Sequence, residues 1–480
     1  MIFEEEIESY LNLIQEINED KIEEIKKFNY RGEYYKIKKY IDEYLNDNDG
    51  AERFIVMPGL RGVGKTTILL QLYDYLKNTK KISKNNILYL SMDDIVGNFN
   101  INLLKIVDYY LNLKHKVNKA FLNEKIFIFV DESHFDKNWA ISGKIIYDNT
   151  KNIFLICTGS SAIDLEVNGD VARRSLKEPI YPNNFGDYLT LKYNIDDYCN
   201  FSKSLENLIY FGEEKYLEEA IHLEEKIETK LYDTKNHPKN VFNDFLKTHG
   251  FPLSLKLDDK RVYSKIFSLI KKVIEVDIPA IKSFNSSTTI NIRRILIYIA
   301  ALRSELISTH KIANYLSMSP KLVKDILDVL EDTQIIFNVK PYGGAGIIMK
   351  KPWKYYFLSP SIKAAINYDI GRFNLNNSKC LGMLAENYVA STLFKMNQMS
   401  YPFMGLFYPP EKKGVDFLLR TKLDDMVPIE VGIGKKTKSQ LTRAINKYDC
   451  DYGVLISNRY STIQRHNDII YIPLPSFGFL

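Results

Sequence analysis

The chain has 480 residues, room for about three domains at roughly 100–200 residues each. Hydrophobic residues make up 45% and charged residues 26%, which excludes a disordered or low-complexity chain as a whole. Lys and Arg number 65 against 60 Asp and Glu, so the net charge of +5 argues for no particular partner. The four cysteines, Cys157, Cys199, Cys380 and Cys450, stand far apart with no CxxC or Cys/His cluster. That spacing excludes a zinc ribbon and a disulfide framework, and it suits a reducing cytosol. The N-terminal MIFEEEIESY is acidic and lacks a basic-then-apolar leader. No run of about 18 apolar residues occurs, because even RRILIYIAALRS is bounded by arginines. The expectation is a cytoplasmic protein with no membrane partner.

Residues 1–28 read as one polar amphipathic helix carrying Ile7, Leu11, Ile14 and Ile25, suited to packing or partner contact. Residues 29–190 form the expected core. From residue 54 they alternate strand-length apolar runs (RFIVMPG, NILYLSMDD, KIFIFVDES, NIFLICTGSS) with helical stretches, as in a parallel sheet buried on both faces. Residues 191–285 carry a long charged helical pattern without strand signals, which predicts an all-helical lid. Residues 286–350 read as helix, short helix, turn, helix and then strands. Ser319 supplies an N-cap there, with Pro320 at the first helical position. Residues 351–480 mix one helix (GMLAENYVASTLFKM) with the strands VDFLLR, VPIEVGI, YGVLIS and IIYIPL. From residue 286 onward 25 Lys/Arg face 15 Asp/Glu, whereas the preceding part has 40 against 45. Different partners for the two parts would explain the asymmetry, and dispersed surface lysines would explain it as well.

Gly59, Leu60, Arg61, Gly62, Val63, Gly64, Lys65 and Thr66 match GxxxxGK(S/T) in full, after an apolar strand and before a helix that opens through Thr67. Glycines at these positions let backbone N–H groups wrap phosphate oxygens, and the helix N-terminus adds a favourable dipole. Lys65 is expected to reach the β- and γ-phosphates, and the Thr66 hydroxyl to ligate Mg²⁺. The apolar run Ile126–Val130 leads straight into Asp131 and Glu132. Asp131 would hold the Mg²⁺, and Glu132 would polarise the attacking water as general base. This order favours an NTPase with an additional strand beside the loop strand, with ATP as the substrate, since no guanine-reading motif is present in residues 54–190. The next strand ends in Thr158, Gly159, Ser160 and Ser161, where Thr158 and Ser160 are candidates for sensing the γ-phosphate and a small-residue turn is the alternative. Arg173 and Arg174 follow, either as a guanidinium reaching a neighbouring copy's nucleotide or as a surface pair.

In order, GLRGVGKTT, FIFVDESHFDKNW, TGSS, ARR and YPNNFGDYL resemble the archaeal and bacterial AAA-like ATPases of the STAND group, whose C-terminal half is a domain of unknown function. The resemblance covers the chain from about residue 29 onward. It implies that Pro252, in the turn His249, Gly250, Phe251 and Pro252, contacts the nucleotide base from the lid. It also implies a winged helix at 286–350, whose second helix would present Lys321 and Lys324 to a DNA groove or to a protein partner. Residues 351–480 resemble the restriction-endonuclease-like fold, with Glu386, Asp416 and Glu430 as a candidate acidic site. Gly432 stands where that fold carries its lysine, while Lys435, Lys436 and Lys438 come later. A displaced lysine changes both distance and strand face, so the domain reads as a nuclease fold reduced to binding, or one whose lysine has migrated.

The expected class is therefore α/β: a P-loop NTPase parallel-sheet core with helical lid, winged helix and C-terminal α/β restriction-endonuclease-like domain. The expected function is an Mg²⁺-dependent ATPase coupled to duplex DNA or a protein partner, with homo-oligomer formation as a corollary of the arginine pair. A slow ATP-gated scaffold and an ATP-gated nuclease are the alternatives.

Overall fold

The computed structural model describes residues 2–47, 50–160, 169–196, 198–234, 237–282, 284–302, 306–372, 378–411, 413–421, 425–432 and 438–480. It divides into two compact units, Met1–Tyr181 and Pro182–Leu480.

The first unit runs α1 (Ile2–Ile25), α2 (Gly32–Leu45), β1 (Phe54–Pro58), α3 (Lys65–Asp74), β2 (Ile87–Ser91), α4 (Met92–Phe99) and α5 (Leu103–His115). It continues with β3 (Ile126–Asp131), α6 (Trp139–Asn149), β4 (Ile153–Gly159), α7 (Gly169–Ala172) and β5 (Leu176–Lys177). The sheet order is β2-β3-β4-β1-β5, with every neighbouring pair parallel. Strands β1, β3 and β4 are buried along their whole length, which is why their sequences are continuous apolar runs instead of alternating ones. Strand β4 lies between the strand leading into the phosphate-loop motif and the strand ending at Asp131. It is the additional strand that the motif order predicts.

The N-terminal helix belongs to this core. Ile7 and Leu11 are buried together with Ile95, Ile106, Val107 and Leu111, each such side chain stabilising by about 1.5–3 kcal/mol. Helix α5 starts where the Asn102 side chain accepts from Lys105 N at 3.0 Å and the Asp136 carboxylate accepts from Leu103 N at 2.8 Å.

The second unit opens with helices α8 (Phe185–Tyr193), α9 (Cys199–Phe211), α10 (Glu214–Asp233), α11 (Pro238–Thr248), α12 (Asp259–Lys272), α13 (Ile278–Ile281) and α14 (Ser286–Ala301). Then come α15 (Thr309–Leu316), α16 (Pro320–Asp332), β6 (Ile336–Pro341), α17 (Ala345–Lys350), β7 (Lys354–Phe357), α18 (Pro360–Asp369) and α19 (Ser378–Met399). Last are β8 (Gly405–Tyr408), β9 (Phe417–Arg420), β10 (Met426–Gly432), α20 (Ser439–Tyr448), β11 (Gly453–Ser457), β12 (Gln464–His466), β13 (Ile469–Pro473) and α21 (Leu474–Phe477). The eight-stranded order is β12-β13-β11-β10-β9-β8-β6-β7. Strands β8, β9 and β10 form an antiparallel meander, and β11 returns parallel to β10 after α20.

The compact units part after Tyr181, because α8 packs with the second unit: Phe185 lies edge-on against Phe242 and Phe479, and its N–H donates to Gly478 O at 2.8 Å. The boundary expected at 350 runs through one sheet, because β6 pairs with both β7 and β8. Ser319 caps α16 as expected, its hydroxyl accepting from Leu322 N at 3.2 Å. Among the described residues no helix is long and apolar enough to cross a membrane.

Candidate active site

The register of the first sheet brings the motif residues together. Val56, Cys157 and Val130 lie in one row across β1, β4 and β3, so Met57, Thr158 and Asp131 form the next row at the strand C-termini. The phosphate-loop motif leaves β1 one residue after Pro58 and enters α3 at Lys65. Gly62 and Gly64 adopt φ of +84° and +103°, values that disfavour any side chain and let the loop curl before the helix. Gly59 is required for a different reason: a Cβ there would lie 2.3 Å from Ile180 O.

Lys65 is buried, and its ammonium donates to Gly59 O at 2.8 Å and Leu60 O at 3.1 Å, across the mouth of the loop. The Thr66 hydroxyl donates to Asp131 Oδ2 at 2.6 Å. The same carboxylate accepts from Tyr89 OH at 3.1 Å, from Glu132 N at 3.1 Å and from the Thr158 hydroxyl. Burial beside Asp131 drives the Tyr89 phenol well above its ordinary value, so it stays a donor. Thr66 and Asp131 are hard oxygen donors side by side at the start of a helix, a set that fits Mg²⁺ next to phosphate oxygens. Arg61 points from the loop to Glu132, with Nη1 3.3 Å from Oε1, and to His134, with Nη2 3.4 Å from Nε2. Burial, with Arg61 and Lys65 nearby, pushes His134 down to about 4, so its imidazole is neutral near pH 7.

The structure thus gathers Gly59, Arg61, Gly62, Val63, Gly64, Lys65, Thr66, Asp131, Glu132 and Thr158 at one edge of the sheet. Thr67 lies half-buried in the first turn of α3. Ser160 is buried just beyond β4, and Ser161 lies outside the described residues. Arg173 and Arg174 are not in this cluster. They precede Leu176, which pairs with Ile55 near the start of β1, so they sit toward the opposite end of the strands. There Arg173 meets Asp170, and Arg174 meets Asp148 at 2.6 Å.

Three contributors escaped the sequence reading. Tyr89 faces Asp131 because it pairs with Phe129, two residues before the acid on the same face; strand alternation could have exposed it. His134 was visible only as a letter in DE-x-H. Arg31 is buried and donates to Val63 O at 2.8 Å and Tyr181 O at 3.2 Å, pinning the loop's apex from outside the motif.

The remaining candidates belong to the second unit. Pro252 opens the short turn Pro252–Lys256, beside a His249 ring that stacks on Tyr188 at 4.4 Å. Lys321 and Lys324 are exposed on α16. Asp416 precedes β9 and, by the Phe417–Ile429 pairing, stands opposite Glu430. Its Oδ2 accepts from Val431 N at 2.8 Å, while Glu386 on α19 accepts from Tyr356 OH at 3.0 Å. Glu430 is only 1% exposed, and no three metal-ligating side chains among the described residues are placed to hold a cation. Lys438 is exposed, with its ammonium 5.0 Å from the Tyr471 ring centre; Lys435 and Lys436 lie outside the described residues.

Comparison with known proteins adds the family. An AAA domain model matches residues 51–189, a domain of unknown function (DUF8612) matches 240–376 and a second one (DUF4143) matches 381–477. The Walker-type ATPase PABY2304 of Pyrococcus abyssi is similar at 12% identity and a TM-score of 0.41, over 70% of this chain and 95% of that one. MJ1544 of Methanocaldococcus jannaschii is 24% identical over 401 residues, covering 82% of this chain and 78% of that protein. MJ1637 of the same organism is 32% identical over 451 residues, covering 94% of this chain and 89% of its own length. The chain belongs to the family of MJ1637, with an AAA domain as the core of its first unit.

Proposed function

We propose that the chain is an Mg²⁺-dependent ATPase whose first unit binds and hydrolyses ATP and whose second unit passes the nucleotide state to a partner. The observation that carries this reading is the convergence of Lys65, Thr66, Thr158 and Glu132 on Asp131 and the loop mouth, at the C-terminal edge of a parallel sheet. Lys65 would neutralise the β- and γ-phosphates, and Glu132 would take the proton of the attacking water. Mg²⁺ held by Thr66 and Asp131 would supply charge neutralisation between the phosphates. Phosphate release from ATP, with and without chelator, tests the reading. Chelator-sensitive turnover that Glu132→Gln lowers by about 100-fold or more, to a residual rate still readable in single turnover, is the expected result, and no turnover or nucleotide binding by wild type would refute it.

For the second unit, the order α14, the Ile307–Trp353 bridge, α15, α16, β6 and β7 supports the winged-helix reading. The order α19, β8, β9, β10, α20 and β11 supports a restriction-endonuclease-like domain. A protein partner is favoured for α16. Its two lysines are outnumbered by Asp325, Asp328, Glu331 and Asp332, a poor balance for a helix meeting phosphates. Duplex DNA is the second reading. It is supported by α12, where Lys260, Arg261 and Lys265 are exposed together on the surface of one helix, with Ser264 and Ser268 beside them. Arg173 and Arg174 would act on a neighbouring copy's nucleotide.

A further inference from the structure

Arg61 and Lys65 leave the same loop toward different partners. Lys65 turns to the loop's own carbonyls, whereas Arg61 spans to the turn after β3. A guanidinium can only donate, so at 3.4 Å His134 Nε2 is the acceptor and the imidazole proton belongs on Nδ1. That Nδ1 lies 3.4 Å from Glu132 Oε2. Arg61 thus ion-pairs with one carboxylate oxygen, while the His134 ring lies against the other with no hydrogen bond formed between Nδ1 and Oε2. Glu132 itself has φ +52°, in the left-handed region that non-glycine residues adopt uncommonly. An ordinary exposed ion pair is worth about 0–1 kcal/mol and fixes little. Here the Arg61, Glu132 and His134 side chains are 15%, 20% and 5% exposed, so geometry and not solvent screening governs the group.

We infer that Arg61 and His134 are positioning residues for the Glu132 carboxylate, with the Arg61 guanidinium as the physical link between the phosphate loop and the general base. The inference rests on the reading of Glu132 as base and extends it to how that base is aimed. The loop that wraps the phosphates also carries the group that orients the carboxylate, so a change of loop conformation is transmitted to Glu132 through one side chain. Arginine suits the task because its planar fork meets two partners at once, which a lysine ammonium on a flexible stem does not reproduce.

A double-mutant cycle on the full chain tests this, with single-turnover ATP hydrolysis and equilibrium binding of a fluorescent ATP analogue as readouts. Arg61→Ala is expected to lower the hydrolysis rate about 10- to 100-fold while nucleotide affinity changes less than about threefold. Arg61→Lys should recover only part of the loss. His134→Gln, whose amide oxygen can accept from Arg61 as the neutral imidazole does, should stay within about threefold of wild type, and His134→Ala should follow Arg61→Ala. In a Glu132→Gln background, Arg61→Ala should cost nothing further. Multiplicative losses in that background, or an Arg61→Ala defect confined to affinity, would show that Arg61 acts on the phosphates directly and overturn the link alone. Wild-type turnover in Glu132→Gln would instead remove the base assignment and this inference with it.

Discussion

The Thr66 hydroxyl meets the Asp131 carboxylate at 2.6 Å, joining the first turn of α3 to the tip of β3 across the intervening strand β4. Three further donors, Tyr89 OH, Glu132 N and the Thr158 hydroxyl, converge on the same group. A carboxylate accepts from all four, whereas an amide must present N–H to some of them. Asp131→Asn is therefore expected to destabilise the first unit by about 1–3 kcal/mol and to remove Mg²⁺-dependent turnover. Thermal unfolding and phosphate release check the two effects separately, and a variant matching wild type in both would contradict the arrangement.

Lys65 offers a contrasting case. Its ammonium donates to the carbonyls of Gly59 and Leu60, both in the loop itself. Lys65→Ala should lower ATP affinity at least about tenfold, by loss of a charge-assisted phosphate contact, with little change in melting temperature. Titration with a fluorescent analogue measures the first quantity. Undiminished affinity would mean that the triphosphate is held elsewhere.

The loop and the Asp131 strand were legible because each is a local pattern: a glycine-rich turn between strand and helix, and an apolar run ending in acids. The parallel order of the core followed from the same runs, since strands buried on both faces cannot alternate. Arg31 was not legible, because its partners Val63 O and Tyr181 O lie 32 and 150 residues away and only the fold unites them. The two-residue β5 was too short to leave a pattern. The continuity of β6 with β8 was hidden for another reason. Parallel pairing of Lys340 with Phe407 joins segments that a sequence break had assigned to separate domains.

The second unit contains a buried acid whose protonation has a readable sign. Glu224 on α10 accepts from Ile463 N at 2.7 Å and from the Ser476 hydroxyl, and burial, with Glu228 and Glu225 nearby, pushes it up from 4.5 to about 7. The folded state therefore binds the proton more tightly than the unfolded chain does. That contribution is fully present below about pH 4.5 and is lost as the pH rises through 7. Glu224→Gln keeps an acceptor for Ile463 N and removes the charge. Relative to wild type, it should gain about 1–3 kcal/mol between pH 5 and pH 8, read as a diverging melting temperature. Parallel pH profiles for the two proteins would refute this.

The acidic residues of the second unit argue against DNA cleavage. Asp416 and Glu430 face each other across β9 and β10, but Asp416 Oδ2 is engaged by Val431 N at 2.8 Å and Glu430 is only 1% exposed. A cation shared between them would need carboxylate oxygens turned to a common open point with several waters retained. Gly432, two residues along the same strand face, brings no lysine to a scissile phosphate, and its carbonyl accepts from the Ser457 hydroxyl at 2.8 Å. Wild type should therefore leave supercoiled plasmid and linear duplex intact with Mg²⁺ or Mn²⁺, at any nucleotide concentration, and Glu430→Ala should behave identically. Nicking that depends on the cation and disappears in Glu430→Ala would restore a working nuclease and require the second unit to rearrange around these two acids.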